Sequence, residues 1–448
     1  MSGRPRTLMR SLVAVCLTMV LTAALDGTSH AFAEPQPPPP PPGQQPPSPP
    51  KPPGERPLRL FVDCPNVYCD TEFFRAEISF VDHVRDRRDA DVHVLITGQG
   101  TGGGGQEYSV AFIGLGRFGK IEHTMRHVSK ATDTDDDRRR GLLATLKLGL
   151  VRYVADTPAG RELQISHKKP AAAPGTEGKA RDPWNYWVFS ASLQNYMNGE
   201  ASRTSISLYG SFTANRVTEE WKILTSVSGE YSESHYTFSE GDTFDSLSRS
   251  SGVSALIVKS LGPHWAAGGQ ARVSSSTYLN QDLKARVAPA IEYNVFPYSE
   301  STRRQLTFNY SAGINRFKYR ETSIYGKDEE TIPDETLMVA LDMRQPWGTT
   351  STSFQASHHL NDLKKTRLVL YGDVDVRIFK GFSITAWGNV SRIRDQTYLP
   401  MGEATPEEVL VRQRQLATSY DYYASMGIRY RFGSIFNNVV NARFENAR

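Results

Sequence analysis

Beyond its first 33 residues the chain has no apolar run long enough to cross a bilayer as a helix, and its mean hydropathy is −0.45. A bundle of membrane helices, each needing ~20 apolar residues, is excluded. Cysteine is scarce, with three in 448 residues: Cys16, Cys64 and Cys69. No pair has C-x-x-C spacing, and two cysteines alone do not make a zinc site. Charge of one sign is also lacking. Net charge is +4, and Arg4, Arg6 and Arg10 against Asp26 hold part of that. The remainder is near neutral, which gives no basis for nucleic-acid binding. Cofactor motifs are missing too. Gly114-Leu115-Gly116-Arg117-Phe118-Gly119 fits G-x-G-x-x-G, but a dinucleotide site needs a helix to open there. KIEHTMRHVSK follows and shows no apolar helical face. Gly102 to Gly105 lack the Lys-Ser/Thr of a phosphate loop, and Asp133 to Asp137 lack calcium-loop spacing. No cofactor or metal is expected.

What is present begins with three arginines, the apolar run SLVAVCLTMVLTAAL and Ala31-Phe32-Ala33. These are the parts of an export signal over residues 1–33. Removal leaves Cys64 and Cys69, a candidate local disulfide in an oxidising compartment. Residues 34–57 hold 14 of the 27 prolines and are expected to form an extended polyproline-like spacer. Residues 58–160 alternate in type. LRLFVDC, DVHVLITG and EYSVAFIGL read as strands, while TEFFRAEISFVDHVRDRRDA and DTDDDRRRGLLATLKLGLVRYVA read as helices. The second has an acidic first turn, which suits the helix dipole. The order β-α-β-β-α predicts a small periplasmic α+β domain. ADVHVLIT with its glycine hairpin and second strand resembles the small periplasmic domain of the Tol-system propeller protein and of the curli-secretion lipoprotein. A linker over 161–183 follows.

From 184 to 432 the pattern has period two. In QLTFNYSAGIN, Leu306, Phe308, Tyr310, Ala312 and Ile314 oppose Gln305, Thr307, Asn309, Ser311, Gly313 and Asn315. RTSISLYGSFTAN and RLVLYGDVDVRIF repeat it. Such runs exceed the ~6 residues usual in sandwiches and suit tilted membrane strands. Connections alternate between short (NRVTEE, LGPH, PYSEST, PWGT, FKG) and, on average, longer, as in outer-membrane barrels. Trp187, Trp221, Trp265, Phe296, Tyr298, Trp347, Phe379, Phe382 and Phe432 fall near one set of strand ends. Tyr196, Tyr231, Tyr278, Phe317, Tyr398 and Tyr420 fall near the other. Two aromatic belts are expected at lipid interfaces. The fold class is therefore mainly β: an antiparallel transmembrane β-barrel of about 12 strands in a Gram-negative envelope, preceded by the α+β domain.

The last strand reads SMGIRYRF. Ser425, Gly427, Tyr430 and Phe432 resemble the C-terminal signal of bacterial outer-membrane barrels. That resemblance implies an outer-membrane location and recognition by the barrel-assembly machinery. Here a tail, 433–448, follows the signal; it is expected on the periplasmic side, folding back under the barrel. Residues expected to face a polar lumen include Arg286, Glu292, Asp373, Asp375, Arg377, Asp421, Arg429 and Arg431. They predict either a salt-bridged plug or a small porin-like channel lined by both signs. The expected role is non-enzymatic: a pore, or an envelope-organising protein whose periplasmic domain binds a protein or cell-wall partner. A plugged barrel acting as a surface binder is one alternative. A rim hydrolase is another, built from His359, Ser357 and Asn361, with His358 and Ser353 nearby.

Overall fold

The computed structural model describes residues 57–155, 157–162, 182–237, 243–402 and 416–436, with 438, 440 and 443. The export signal, nearly all of the spacer and most of the 161–183 linker lie outside the described residues. Among the described residues no helix is long and apolar enough to cross a membrane.

The first region is a five-stranded sheet with two helices. Its strands are β1 (Leu58–Asp63), β2 (Val81–His83), β3 (Val92–Gly100), β4 (Gln106–Gly114) and β5 (Glu122–Ser129). They lie in the order β2-β1-β3-β4-β5, with β1 parallel to both neighbours and the rest antiparallel. Helix α1 (Thr71–Glu77) starts at Asp70, whose side chain accepts from the Phe73 amide at 2.9 Å. Helix α2 (Asp135–Val154) starts with a capping box between Thr134 and Asp137, which satisfies two otherwise orphaned amides. Leu142, Leu146, Leu150 and Tyr153 of α2 are buried with Leu60, Val94, Val110 and Phe112.

Two readings need correction. The stretch expected as one long helix is helical only over Thr71–Glu77, and Val81–His83 then pairs with β1. Ile78 closes the helix as its C-cap, and the apolar Val81 goes into the sheet. KIEHTMRHVSK is an edge strand, β5. Its His123 and His127 rings stack on Phe112 and Tyr108, so histidines here serve as apolar faces. The G-x-G-x-x-G stretch is a 3₁₀ turn leading into that strand.

Gly149 of α2 sits against Phe112, and a Cβ placed there would overlap the ring. The ring is held at 4.7 Å against His123 and has little room to move. Gly149→Ala gains about 1 kcal/mol of helix propensity but loses about 1–3 kcal/mol to overpacking. Faster amide exchange in α2 and β4 is the expected result.

The second region is a twelve-stranded antiparallel meander. Its strands are β6 (Trp187–Glu200), β7 (Arg203–Val217), β8 (Trp221–Thr237), β9 (Thr243–Ser260), β10 (Trp265–Ser276) and β11 (Gln281–Asn294). They continue as β12 (Arg304–Tyr319), β13 (Glu329–Gln345), β14 (Gly348–His359), β15 (Asp362–Phe379), β16 (Phe382–Ile393) and β17 (Tyr420–Tyr430). Each strand pairs with its sequence neighbours, and the ladder runs unbroken from β6 to β17. Among the described residues the outer edges of β6 and β17 have no ladder partner.

Register sorts side chains into rows, because directly paired residues point to the same face. One row runs Trp265, Tyr293, Phe308, Val339, Phe354, Leu370, Val390, Tyr422. Every member is apolar or aromatic, yet Leu370 is 48% and Val390 53% exposed. The adjacent row, on the other face, runs Ala266, Glu292, Asn309, Met338, Gln355, Val369, Ser391, Asp421. The sheet thus presents a greasy outer face and a largely polar inner one. On β17, Met426 (82%) and Ile428 (77%) lie on the exposed apolar face.

Candidate functional site

The inner face of β10–β15 borders a cavity of about 810 Å³. Arg286 and Glu292 of β11 line it, with Lys284, Asp334, Arg367 and Asp395. Arg286 Nε lies 3.0 Å from Asp334, and Arg367 Nη2 lies 3.0 Å from Asp395. Glu292 accepts from the Tyr298 hydroxyl at 2.9 Å and from Asn309 at 3.1 Å. The charges inside are therefore largely engaged with one another.

At the end carrying the long connections, residues 395–400 fold over this face. Tyr398 packs on a small cluster of Phe317, Tyr319 and Ile332, its carbonyl accepts from Asn280, and Pro400 bridges to Ser323. Phe317 and Tyr398 therefore belong to the inside rather than to an outer aromatic belt. Strand parity explains this for Phe317, which shares the face of Asn309 and Asn315. Tyr298, bonded to Glu292, is likewise turned inward.

At the end with the short turns lies the α/β region. Asp63, at the end of β1, receives both guanidinium nitrogens of Arg377 at 2.6 and 2.8 Å. His93 Nε2 is 3.3 Å from Asp63 but makes no aligned hydrogen bond. Burial pushes the Asp63 carboxyl up, and the hydrogen bonds from Arg377, with His93 close beside it, outweigh that, leaving a pKa of about 2. Burial lowers the His93 pKa. Lys380 pairs with Asp89, and the Gly381 amide donates to Asp86 at 2.6 Å. Farther round, Ser301 donates to Gln99. The tail joins in as well. Phe436 bridges to Val84, and Asn438 accepts from the His83 amide and donates to Asp82. The described part of the tail thus folds back to the short-turn end, against β2 and Val84.

Four of the lumen candidates, Asp375, Arg377, Arg429 and Arg431, gather at this end around a second cavity. Asp373 and Asp421 line neither cavity. Ser425, Gly427 and Tyr430 lie on β17 and Phe432 just beyond it. Cys64 is bonded to Cys69. In the rim group, the Ser357 hydroxyl donates to the Arg367 carbonyl at 3.5 Å and His358 pairs with Glu335 at 3.0 Å. No Ser–His hydrogen bond joins that group among the described residues. Ser353 lies on β14 and Asn361 in the turn after it.

No family model matches the chain, and no curated protein matches it. Among solved structures it is similar to the translocator domain of the autotransporter NalP from Neisseria meningitidis. Identity there is 14% and the TM-score 0.19, over 55% of this chain and 82% of that one. It is also similar to the β domain of the Bordetella autotransporter BrkA, at 11% identity and a TM-score of 0.24, over 55% of this chain and 98% of that one. Overlaps this loose carry no weight for the function of the chain.

Proposed function

We propose that the chain is a non-enzymatic outer-membrane β-barrel, a small pore held closed at rest by its own α/β domain on the periplasmic side. The observation that carries this reading is the pair of adjacent rows, one apolar and exposed on β10–β17, one largely polar and turned to the inner cavity. A water-soluble sheet gains nothing from an exposed row of that length, whereas lipid favours it. In lipid an open strand edge leaves amides and carbonyls unsatisfied at a cost of several kcal/mol each. The barrel therefore closes by pairing β6 with β17. The motif ending at Phe432 serves as the signal for the barrel-assembly machinery. The short turns, the docked domain and the described part of the tail lie on the periplasmic side, and the loops on residues 320–328 and 394–402 face outward. The α/β domain acts first on the barrel itself, ahead of any periplasmic protein or cell-wall partner.

Two measurements test this. Refolded full-length protein should migrate anomalously on unheated gels, and boiling should abolish the anomaly. In planar bilayers it should be mostly silent, with brief, discrete openings. Failure to enter membranes overturns the barrel. Complete silence at every voltage and pH, together with stable insertion, overturns the pore and leaves a plugged barrel.

A further inference from the structure

The cavity between the α/β region and the ends of β15–β17 has a volume of about 270 Å³. Six arginines line it: Arg85, Arg87, Arg88, Arg377, Arg429 and Arg431. Asp86 and Asp375 are the carboxylates there. Asp86 is already engaged, accepting from the amides of Gly381 and Arg88. Of the arginines, Arg377 is spent on Asp63. Arg85 Nη1 and Arg88 Nη2 each donate to one backbone carbonyl, at 3.3 Å. Arg85 Nε is buried without a partner. Arg87, Arg429 and Arg431 form no ion pair among the described residues.

Arg429 and Arg431 are exposed at the mouth of the cavity; like charges gathered there repel, and a buried donor without a partner, here Arg85 Nε, costs about 1–3 kcal/mol. A fold that keeps this arrangement recovers the cost when an anion occupies the site. Register fixes the spacing of the donors. Arg377, Ser383 and Arg429 share one row across β15, β16 and β17, so Arg377 and Arg429 stand on the order of 10 Å apart. Arg431 follows Arg429 on the same face of the chain. Guanidinium forks match tetrahedral oxyanions in a directional way, which chloride does not exploit. A second cavity of about 620 Å³ shares Phe61, Arg85, Arg377 and Arg431 with the first and leaves room for whatever the anion is attached to.

We propose that this arginine cavity is a binding site for a small phosphate-bearing anion carrying at least two negative charges. The reading holds whether or not the barrel conducts. The phosphate could arrive on a soluble metabolite or as the headgroup of an inner-leaflet lipid.

The test uses full-length protein in detergent and inorganic pyrophosphate as the probe, followed by calorimetry. Saturable binding near one per chain is expected, at least tenfold tighter than acetate. The double variant Arg429→Gln/Arg431→Gln should weaken it at least tenfold while keeping its heat-modifiable migration. Arg429→Lys/Arg431→Lys should restore part of the affinity. Arg316→Gln, at an exposed arginine on the opposite side of the strand pattern, should change nothing. Native mass spectrometry separates the two sources. A co-purified phospholipid, lost in the Gln variant, assigns the site to a headgroup. A wild type free of lipid that still binds pyrophosphate assigns it to a soluble anion. The absence of both adduct and binding overturns the proposal, as does binding that the folded Gln variant retains or that acetate matches.

Discussion

Replacing Arg377 with alanine should release the α/β domain from the end of the sheet. The change strips the bidentate partner from Asp63, whose side chain is 9% exposed. Leaving a buried charge unpaired costs about 3–5 kcal/mol. Arg377 itself is 36% exposed, and water reaching the site brings the expectation down to roughly 2–3 kcal/mol. Hydrogen exchange should speed up in β1, β2 and the Phe436 bridge, while the core of α2 stays protected. In bilayers the same variant should open more often and for longer than wild type. Lys380→Ala removes a more exposed pair and should cost under about 1 kcal/mol.

Acid should act in the same direction. The Asp63 pKa falls from its ordinary 3.8 to about 2 in the folded protein. A depressed carboxylate stabilises above its ordinary pKa, and that contribution fades as pH falls from about 4 toward 2. The shift corresponds to about 2 kcal/mol. Burial lowers the His93 pKa, so the unfolded state also takes up the His93 proton more readily. Below about pH 6.5 this second group weakens docking as well. Between pH 7 and 8 neither titrates and exchange rates should be flat. Unchanged exchange in Arg377→Ala, at neutral pH and at pH 4 alike, would remove the latch from the account.

Period-two patterning carried much of the second region, for a physical reason. QLTFNYSAGIN became β12 with Phe308 and Ile314 outward and Asn309 and Asn315 inward, because parity alone decides the face of a strand residue. Aromatic character misleads where it is read in place of parity. Phe317 is aromatic and suggests a lipid belt, yet its odd number puts it with Asn315, and residues 395–400 cover it. In the first region β5 was hidden because His123 and His127 count as polar, while here they stack on aromatic rings. The arginine cavity was half legible. Arg429 and Arg431 stood out on β17, but Arg85, Arg87 and Arg88 lie over 300 residues away and belong to a segment read as helix. Nothing local to the sequence brings two such distant segments together. That the tail folds back follows from its place after the last strand, but its partners Val84, His83 and Asp82 are opaque for the same reason.

Phe354→Arg should be the most damaging single change in the sheet, and its neighbour Gln355→Arg one of the mildest. Phe354 lies mid-strand between Val339 and Leu370 in the apolar row. If that row faces hydrocarbon, an arginine there costs about 2–4 kcal/mol at the bilayer midplane. Gln355 borders the inner cavity beside Met338 and Val369, where a cation meets water and the carboxylates of Glu292 and Asp334. Its substitution should cost under about 1 kcal/mol and should alter ion selectivity instead. Urea unfolding from lipid vesicles, read by loss of the heat-modifiable band, measures both. A water-exposed face would predict the opposite order, since Phe354, 41% exposed, would accept arginine at little cost while Gln355 would disturb an interior. The sign of the difference between two adjacent residues thus decides which solvent each face of the sheet sees, independently of any conductance.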